Sequence, residues 1–157
     1  MTEPSIHHAT FTLVRSYDAK PAQVFAAWAN PDAKRRWFVD SDGIDWVALD
    51  YGLDFRVGGR EHGQFQHRKQ TVHGNETVYL DIVENARIAF AYSMSLDGAV
   101  TSASLGTVEL TPDGEGTRLV YTEQGAFFDG LDKVEYREEG WTALLRALAG
   151  ELSRRAA

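Results

Sequence analysis

From Asp45 to Gln124 the chain runs as a succession of short segments in which apolar and polar residues alternate, each closed by a turn signal, and it then ends in one long amphipathic stretch. Strands first and a single long helix last is the feature that most restricts the fold. The segments are Asp45–Asp50, Asp54–Val57, Gly63–Arg68, Glu76–Val83, Arg87–Ser95, Ala103–Thr111 and Thr117–Gln124. Between them, Tyr51-Gly52, Gly58-Gly59, His73-Gly74-Asn75, Asp97-Gly98 and the run from Pro112 to Gly116 supply the Gly and Asx residues of tight connections. Consecutive hairpins predict an antiparallel meander. In the segment from Arg87, residues Ile88, Phe90, Tyr92 and Met94 share one face and Ala89, Ala91 and Ser93 the other, so one face of the sheet is bulky and covered and the other is small.

The final stretch, from about Leu131 to Ser153, repeats Val134, Trp141, Leu144, Leu145, Leu148 and Leu152 at helical spacing, and Asp132 and Glu135 have the spacing of a capping box. A helix with such a stripe needs a wide apolar surface, and the inward face of the meander provides it. Ahead of the meander, the alternation of Ala9, Phe11 and Leu13 predicts a first strand. Pro21 opens a helix carrying Val24, Phe25 and Trp28, and a second short helix runs from Ala33 to Trp37 or Phe38 with Asp32 as its cap. The chain shows neither repeat nor linker, so residues 1–157 read as one α+β domain.

Composition narrows the chemistry. With no Cys there is no thiol nucleophile, zinc-thiolate site, iron–sulfur cluster or disulfide frame. A chain of 157 residues buries roughly 68–70% of its unfolded surface and needs no metal for stability. The balance of 16 basic against 23 acidic residues, a net charge of −7, argues against nucleic acid as a partner, and Lys34-Arg35-Arg36 reads as a solvated helix face. The longest apolar run, Val24 to Ala29, is far below the ~18 residues of a membrane span, and the polar start lacks a leader pattern, so no membrane association and a cytoplasmic location are expected.

Few motifs carry chemistry. The histidines, His7, His8, His62, His67 and His73, lack metal-ligand spacing, and His62 becomes a candidate base only if it projects into a cavity. The segment Asp40 to Asp45 resembles the start of a calcium loop, but its Gly comes too early and Tyr51 stands where the closing Glu belongs, so it reads as a polar loop beside a cavity mouth. Nucleophile elbow, phosphate loop and dinucleotide fingerprint are all missing, and no cofactor is expected. The inward set from alternation is Phe11, Leu13, Phe55, Leu80, Phe90, Tyr92, Met94, Val108, Leu119 and Tyr121, facing Trp141, Leu145 and Leu148. Such aromatics either fill a core or wall a pocket for a flat ligand. Glu123 falls on the same face as Leu119 and Tyr121. Placed inside, it needs an Arg, a tyrosine hydroxyl or a proton; the alternative is that it reaches solvent at the strand end.

Several strings in their order resemble the START-like superfamily, also called SRPBCC or helix-grip, and within it the activator of heat-shock protein 90 ATPase homologue family. They are Pro21-Ala22-Gln23-Val24-Phe25 with Trp28 and Asn30-Pro31, Trp37-Phe38, Phe55-Arg56-Val57-Gly58-Gly59-Arg60, Leu80-Asp81-Ile82-Val83-Glu84 with Arg87-Ile88, Val108-Glu109-Leu110, Gly116-Thr117-Arg118-Leu119, and Gly140-Trp141. The resemblance implies a curved antiparallel sheet wrapped around a long C-terminal helix, with a central cavity that takes lipophilic small molecules. Joined to the inward set, it makes Trp37, Phe55, Leu80, Phe90, Tyr92, Met94, Tyr121, Glu123, Trp141 and Leu145 the candidate ligand-binding residues. The superfamily also contains cyclases and dehydratases, for which an inward Glu123, Tyr92 or His62 would be the acid or base. A third expectation is a protein-binding adaptor. The co-chaperone members carry a further N-terminal domain and this chain starts at its first strand, so a chaperone partner is not expected. The small-residue face through Ala89, Ala91 and Ser93 suits a homodimer.

Overall fold

The computed structural model describes residues 3–40 and 45–156. Its strands are β1 (Ile6–Tyr17), β2 (Trp46–Leu53), β3 (Arg60–His67), β4 (Val72–Val83), β5 (Arg87–Leu96), β6 (Ala99–Asp113) and β7 (Gly116–Phe128). They form one antiparallel sheet in the order β1-β7-β6-β5-β4-β3-β2, a meander whose first strand has been added beside the last. Helices α1 (Pro21–Ala29) and α2 (Pro31–Lys34) follow β1; α2 continues as a π-helical turn over Arg35–Val39, and α3 (Val134–Ala156) ends the chain. No helix among the described residues is long and apolar enough to cross a membrane.

Two of the expected turns, Asp97-Gly98 and the run from Pro112 to Gly116, close hairpins, whereas Tyr51-Gly52 lies within β2 and His73-Gly74-Asn75 within β4, the chain between β3 and β4 turning instead through Arg68 and Lys69 at φ 51° and 59°. Asp97 and Gly98 both take positive φ, 48° and 87°, the backbone of a two-residue turn whose twist matches that of the strands it joins. Asp97 also accepts the Val72 N–H at 2.9 Å, tying this turn to the start of β4. The inner face carries Phe11, Leu13, Ile88, Phe90, Val108, Leu119 and Tyr121, and α3 lays Trp141, Leu145, Leu148 and Leu152 across it. Tyr121 and Trp141 stack with centroids 4.1 Å apart, and Trp28 of α1 stacks on the other side of Trp141 at 6.0 Å. Such pairs add about 0.5–1.5 kcal/mol beyond the area they bury. Gly106 is the one backbone position on β6 that the rings require: a Cβ there would sit 2.6 Å from the Phe90 ring and 2.9 Å from the Tyr121 hydroxyl.

Four further local expectations are corrected. Asp54–Val57 is not a strand but part of the loop between β2 and β3. Gly58 at φ 82° turns the loop back, and its own N–H and the Gly59 carbonyl bond the Tyr79 backbone. Leu80 is not inward. It is 51% exposed, because the inner face of β4 runs through Asn75, Thr77 and Tyr79, ahead of a bulge between Tyr79 and Asp81. Alternation misassigned it because two of the three inward residues there, Asn75 and Thr77, are polar. The second helix is capped by Asn30, whose Oδ1 accepts the N–H groups of Asp32 and Ala33 at 3.0 Å, and not by Asp32. Finally α3 starts at Val134, and Asp132 holds Arg137 and the Lys133 N–H in place of a capping box.

Candidate functional site

A cleft of about 460 Å³ opens between the first half of α3 and the sheet. The helix contributes Tyr136, Arg137, Gly140, Trp141, Ala143 and Leu144; β2 and β3 contribute Trp46 and Phe65; β4 and β5 contribute His73, Asn75, Tyr92 and Met94. Phe38 of the π-helical turn also lines it. Phe38, Asn75, Tyr92 and Trp141 are shared with a small void of about 10 Å³, which is lined as well by Lys34, Glu61, Thr77 and Phe90. The cleft thus stands between two buried ion pairs, one beside its mouth and one beyond its inner end.

The pair at the mouth is Arg137 with Glu123. Glu123 is fully enclosed, and its Oε1 accepts the hydroxyls of Tyr92 at 2.5 Å and Tyr121 at 2.7 Å while its Oε2 takes Arg137 Nη1 at 3.1 Å. Arg137 also reaches the Tyr92 hydroxyl at 3.2 Å, Ser102 at 2.9 Å and the Asp132 carboxylate. The Trp141 indole N–H donates to the same Tyr92 hydroxyl at 3.2 Å. Tyr92 therefore gives one hydrogen bond and receives two, and burial, with Glu123 acting in the same sense, pushes its pKa well above the usual tyrosine value. It is a fixed neutral phenol.

The inner pair is Lys34 with Glu61, both 2% exposed. Lys34 Nζ lies 3.2 and 3.1 Å from the two carboxylate oxygens, which also accept Tyr79 at 2.8 Å and Tyr51 at 2.5 Å. The ammonium sits among the rings of Trp28, Trp37 and Phe38 at 5.0, 5.5 and 4.3 Å, a cation–π cage. Burial lowers the Lys34 pKa, with the Glu61 charge opposing. An enclosed charge is tolerated only with such partners.

Two further titratable groups line the cleft, Tyr136 and His73, and the His73 ring packs edge-on to Trp46 with centroids 5.1 Å apart. Burial lowers its pKa from 6.5 against the opposing fields of Asp132 and Asp97, which leaves the imidazole neutral at pH 7.

Of the candidates read from sequence, Tyr92, Met94 and Trp141 line the cleft, and Phe90 lines the small void behind it. Glu123 and Tyr121 lie beneath the wall and act on it through Tyr92 and Arg137. Trp37 is buried under α1, its indole donating to the Ala27 carbonyl at 2.9 Å, and Leu145 is buried in the core. Phe55 packs against Phe25 and Tyr79, away from the cleft, and Leu80 faces outward. His62 does not reach the cleft either; it pairs with Asp50 at 3.1 Å on the outer face. No group of three or more His, Cys, Asp or Glu among the described residues could hold a metal. Of the calcium-like segment, residues 41–44 lie outside the described residues.

Sequence reasoning missed Arg137, Lys34, Glu61, Asn75 and His73. A signal existed for two of them. Arg137 stands three residues after Val134 and four before Trp141, on the apolar stripe itself, and Lys34 stands three before Trp37. Of Lys34-Arg35-Arg36, Arg35 and Arg36 are exposed as expected of a solvated face, but Lys34 is buried and Arg36 also pairs with the buried Glu151 at 2.7 Å.

A curved antiparallel sheet gripping one long C-terminal helix, with a cleft between them, defines a helix-grip protein of the START-like class. The family model "Activator of Hsp90 ATPase homolog 1-like protein" matches residues 18–153, and the chain belongs to that family. Among solved structures, an uncharacterized protein from Rhizobium leguminosarum is 42% identical, with a TM-score of 0.91 over 98% of this chain and 99% of its own. A protein from Rhizobium loti is 48% identical, with a TM-score of 0.86 over 94% of this chain and 99% of its own. The AHSA1-like protein from Aeromonas hydrophila shares the fold at 18% identity, with a TM-score of 0.65 over 93% and 94% of the two chains. No curated protein matches the chain.

Proposed function

We propose that the chain binds a small apolar or aromatic molecule in the cleft between α3 and the sheet. One observation carries this reading: about 460 Å³ of space is walled by Trp46, Phe65, Met94, Tyr136 and Trp141, with a few polar groups among them. Small-molecule sites have this size, on the order of 300–1,000 Å³, and this composition. Native and denaturing mass spectra of the freshly purified protein test it. A retained molecule, or stoichiometric uptake of an added flat aromatic that replacement of Gly140 by Leu abolishes, is the expected result. Uptake unaffected by that replacement would move the binding elsewhere.

A second reading is acid–base chemistry of the cyclase or dehydratase kind on the bound molecule. It is favoured by the position of His73, whose imidazole lines the cleft wall where it could accept a proton from a bound molecule. The molecules retained by the wild type and by His73→Gln are compared by mass and chromatographic retention. A difference equal to one water, or an isomer of equal mass with a different chromatographic retention, supports turnover; the same molecule from both leaves binding alone.

A further inference from the structure

The polar groups of the cleft are not equally available, and that inequality specifies a ligand. Arg137 looks like an anion receptor but is already saturated. Its guanidinium faces two carboxylates, Glu123 and Asp132, as well as Ser102 and Tyr92. The local sum is one positive charge against two negative, and the inner pair of Lys34 with Glu61 sums to zero. Asp97 adds negative field near His73. An anion entering the cleft would lose its hydration and meet no free counter-charge. Tyr92, with its three hydrogen bonds, is likewise spent.

Unlike His73 and Tyr136, which line the cleft from more exposed positions, Asn75 is a buried exception. It is only 7% exposed and lines both the cleft and the void behind it. Its carbonyl oxygen accepts Thr77, but among the described residues its amide N–H₂ has only the thioether of Met94, at 3.7 Å, and sulfur is a weak acceptor. A buried donor so poorly matched is costly unless something else accepts from it. Gly140 supplies the other half of the argument. It occupies the middle of a helix, where Gly is unfavourable by roughly 0.8–1 kcal/mol relative to Ala. A Cβ there would meet nothing within 4 Å, so packing does not require the glycine. It leaves the helix side of the cleft open.

Resting on the cleft-binding reading, we infer that the ligand is a flat, uncharged molecule with a hydrogen-bond acceptor, a carbonyl or ether oxygen, that meets the Asn75 amide, and that anionic amphiphiles are excluded. Calorimetric titration of the wild-type protein with three matched probes tests it: the methyl ester of naphthoic acid, the naphthoate anion and methylnaphthalene. The ester should bind about tenfold or more tightly than the anion, because the anion is desolvated without a partner. It should also bind about tenfold more tightly than methylnaphthalene, which leaves the Asn75 donor unmet. In Asn75→Leu the gap between ester and methylnaphthalene should close, while Gly140→Leu should remove binding of all three. Naphthoate binding as well as the ester would overturn the exclusion of anions while leaving the cleft reading intact. Equal affinity for ester and methylnaphthalene in the wild type would overturn the role of Asn75, whether or not Asn75→Leu folds. Failure of all three probes to bind would overturn the cleft reading itself.

Discussion

Arg137 on α3 and Glu123 on β7 stand 3.1 Å apart, with the carboxylate fully enclosed and the guanidinium closing over it from the helix. This contact fastens the first turn of the long helix to the sheet beside the cleft mouth. Removing the guanidinium strands an enclosed carboxylate. Arg137→Met should therefore cost about 3–5 kcal/mol. The double variant Arg137→Met with Glu123→Leu should lose less than Arg137→Met alone, because it leaves no uncompensated charge. Denaturant midpoints of the wild type, both single variants and the double variant decide it; a double variant as destabilised as Arg137→Met alone, or more so, would overturn the prediction.

Lys34 is buried against Glu61 and its ring cage, whereas the other lysines of the chain, Lys20, Lys69 and Lys133, are exposed. Brief acylation of the folded protein at neutral pH should label those three and spare Lys34, and unfolding should make all four react alike. Peptide mass mapping reads the result. Early labelling of Lys34 would mean that α2 opens readily from the sheet.

Glu151 on α3 receives Arg36 from the π-helical turn at 2.7 Å. The Arg36 hydrogen bond, with help from Arg154, holds its carboxyl below the ordinary value of 4.5, while burial opposes. A depressed carboxyl contributes stability that is present above 4.5 and lost as the pH falls through its folded value. Glu151→Gln should thus cost about 1 kcal/mol at neutral pH, a modest figure because Arg36 is partly solvated. The difference from wild type should shrink as the pH falls below 4.5. Thermal melts across that range test the sign.

Two glycines should respond in opposite directions to the same substitution. Gly140→Ala should stabilise by about 0.5–1 kcal/mol, since the site is helical and open. Gly106→Ala should destabilise by about 1–3 kcal/mol, because the new methyl would press on Phe90 and Tyr121 inside the sheet. Paired melting temperatures suffice as the measurement.

The fold was legible because its signals are local and repetitive. Alternation in β5, the Asp97-Gly98 turn, Pro21 at the start of α1 and the leucines of α3 each report the environment of a single element. Where two signals competed, the sequence misled. Val78 and Leu80 outweigh Asn75 and Thr77 as apolar residues on β4, so Leu80 reads as inward, although the polar set faces the interior. Phe55 reads as part of a strand, although Gly58 and Gly59 turn its segment into a loop.

The site lay deeper. By itself the sequence determined an antiparallel meander gripping a C-terminal helix, an aromatic interior, and the requirement that Glu123, if placed inside, find an arginine or a tyrosine hydroxyl. Only the tertiary structure decided that Arg137 supplies it from another element, that Lys34 is buried against Glu61, and that Asn75 is left with a donor to spare. The physical reason is that periodicity reports which face of an element a residue occupies, whereas the partner that makes a buried charge tolerable comes from a different element: Arg137 stands 14 residues beyond Glu123, and Glu61 stands 27 beyond Lys34.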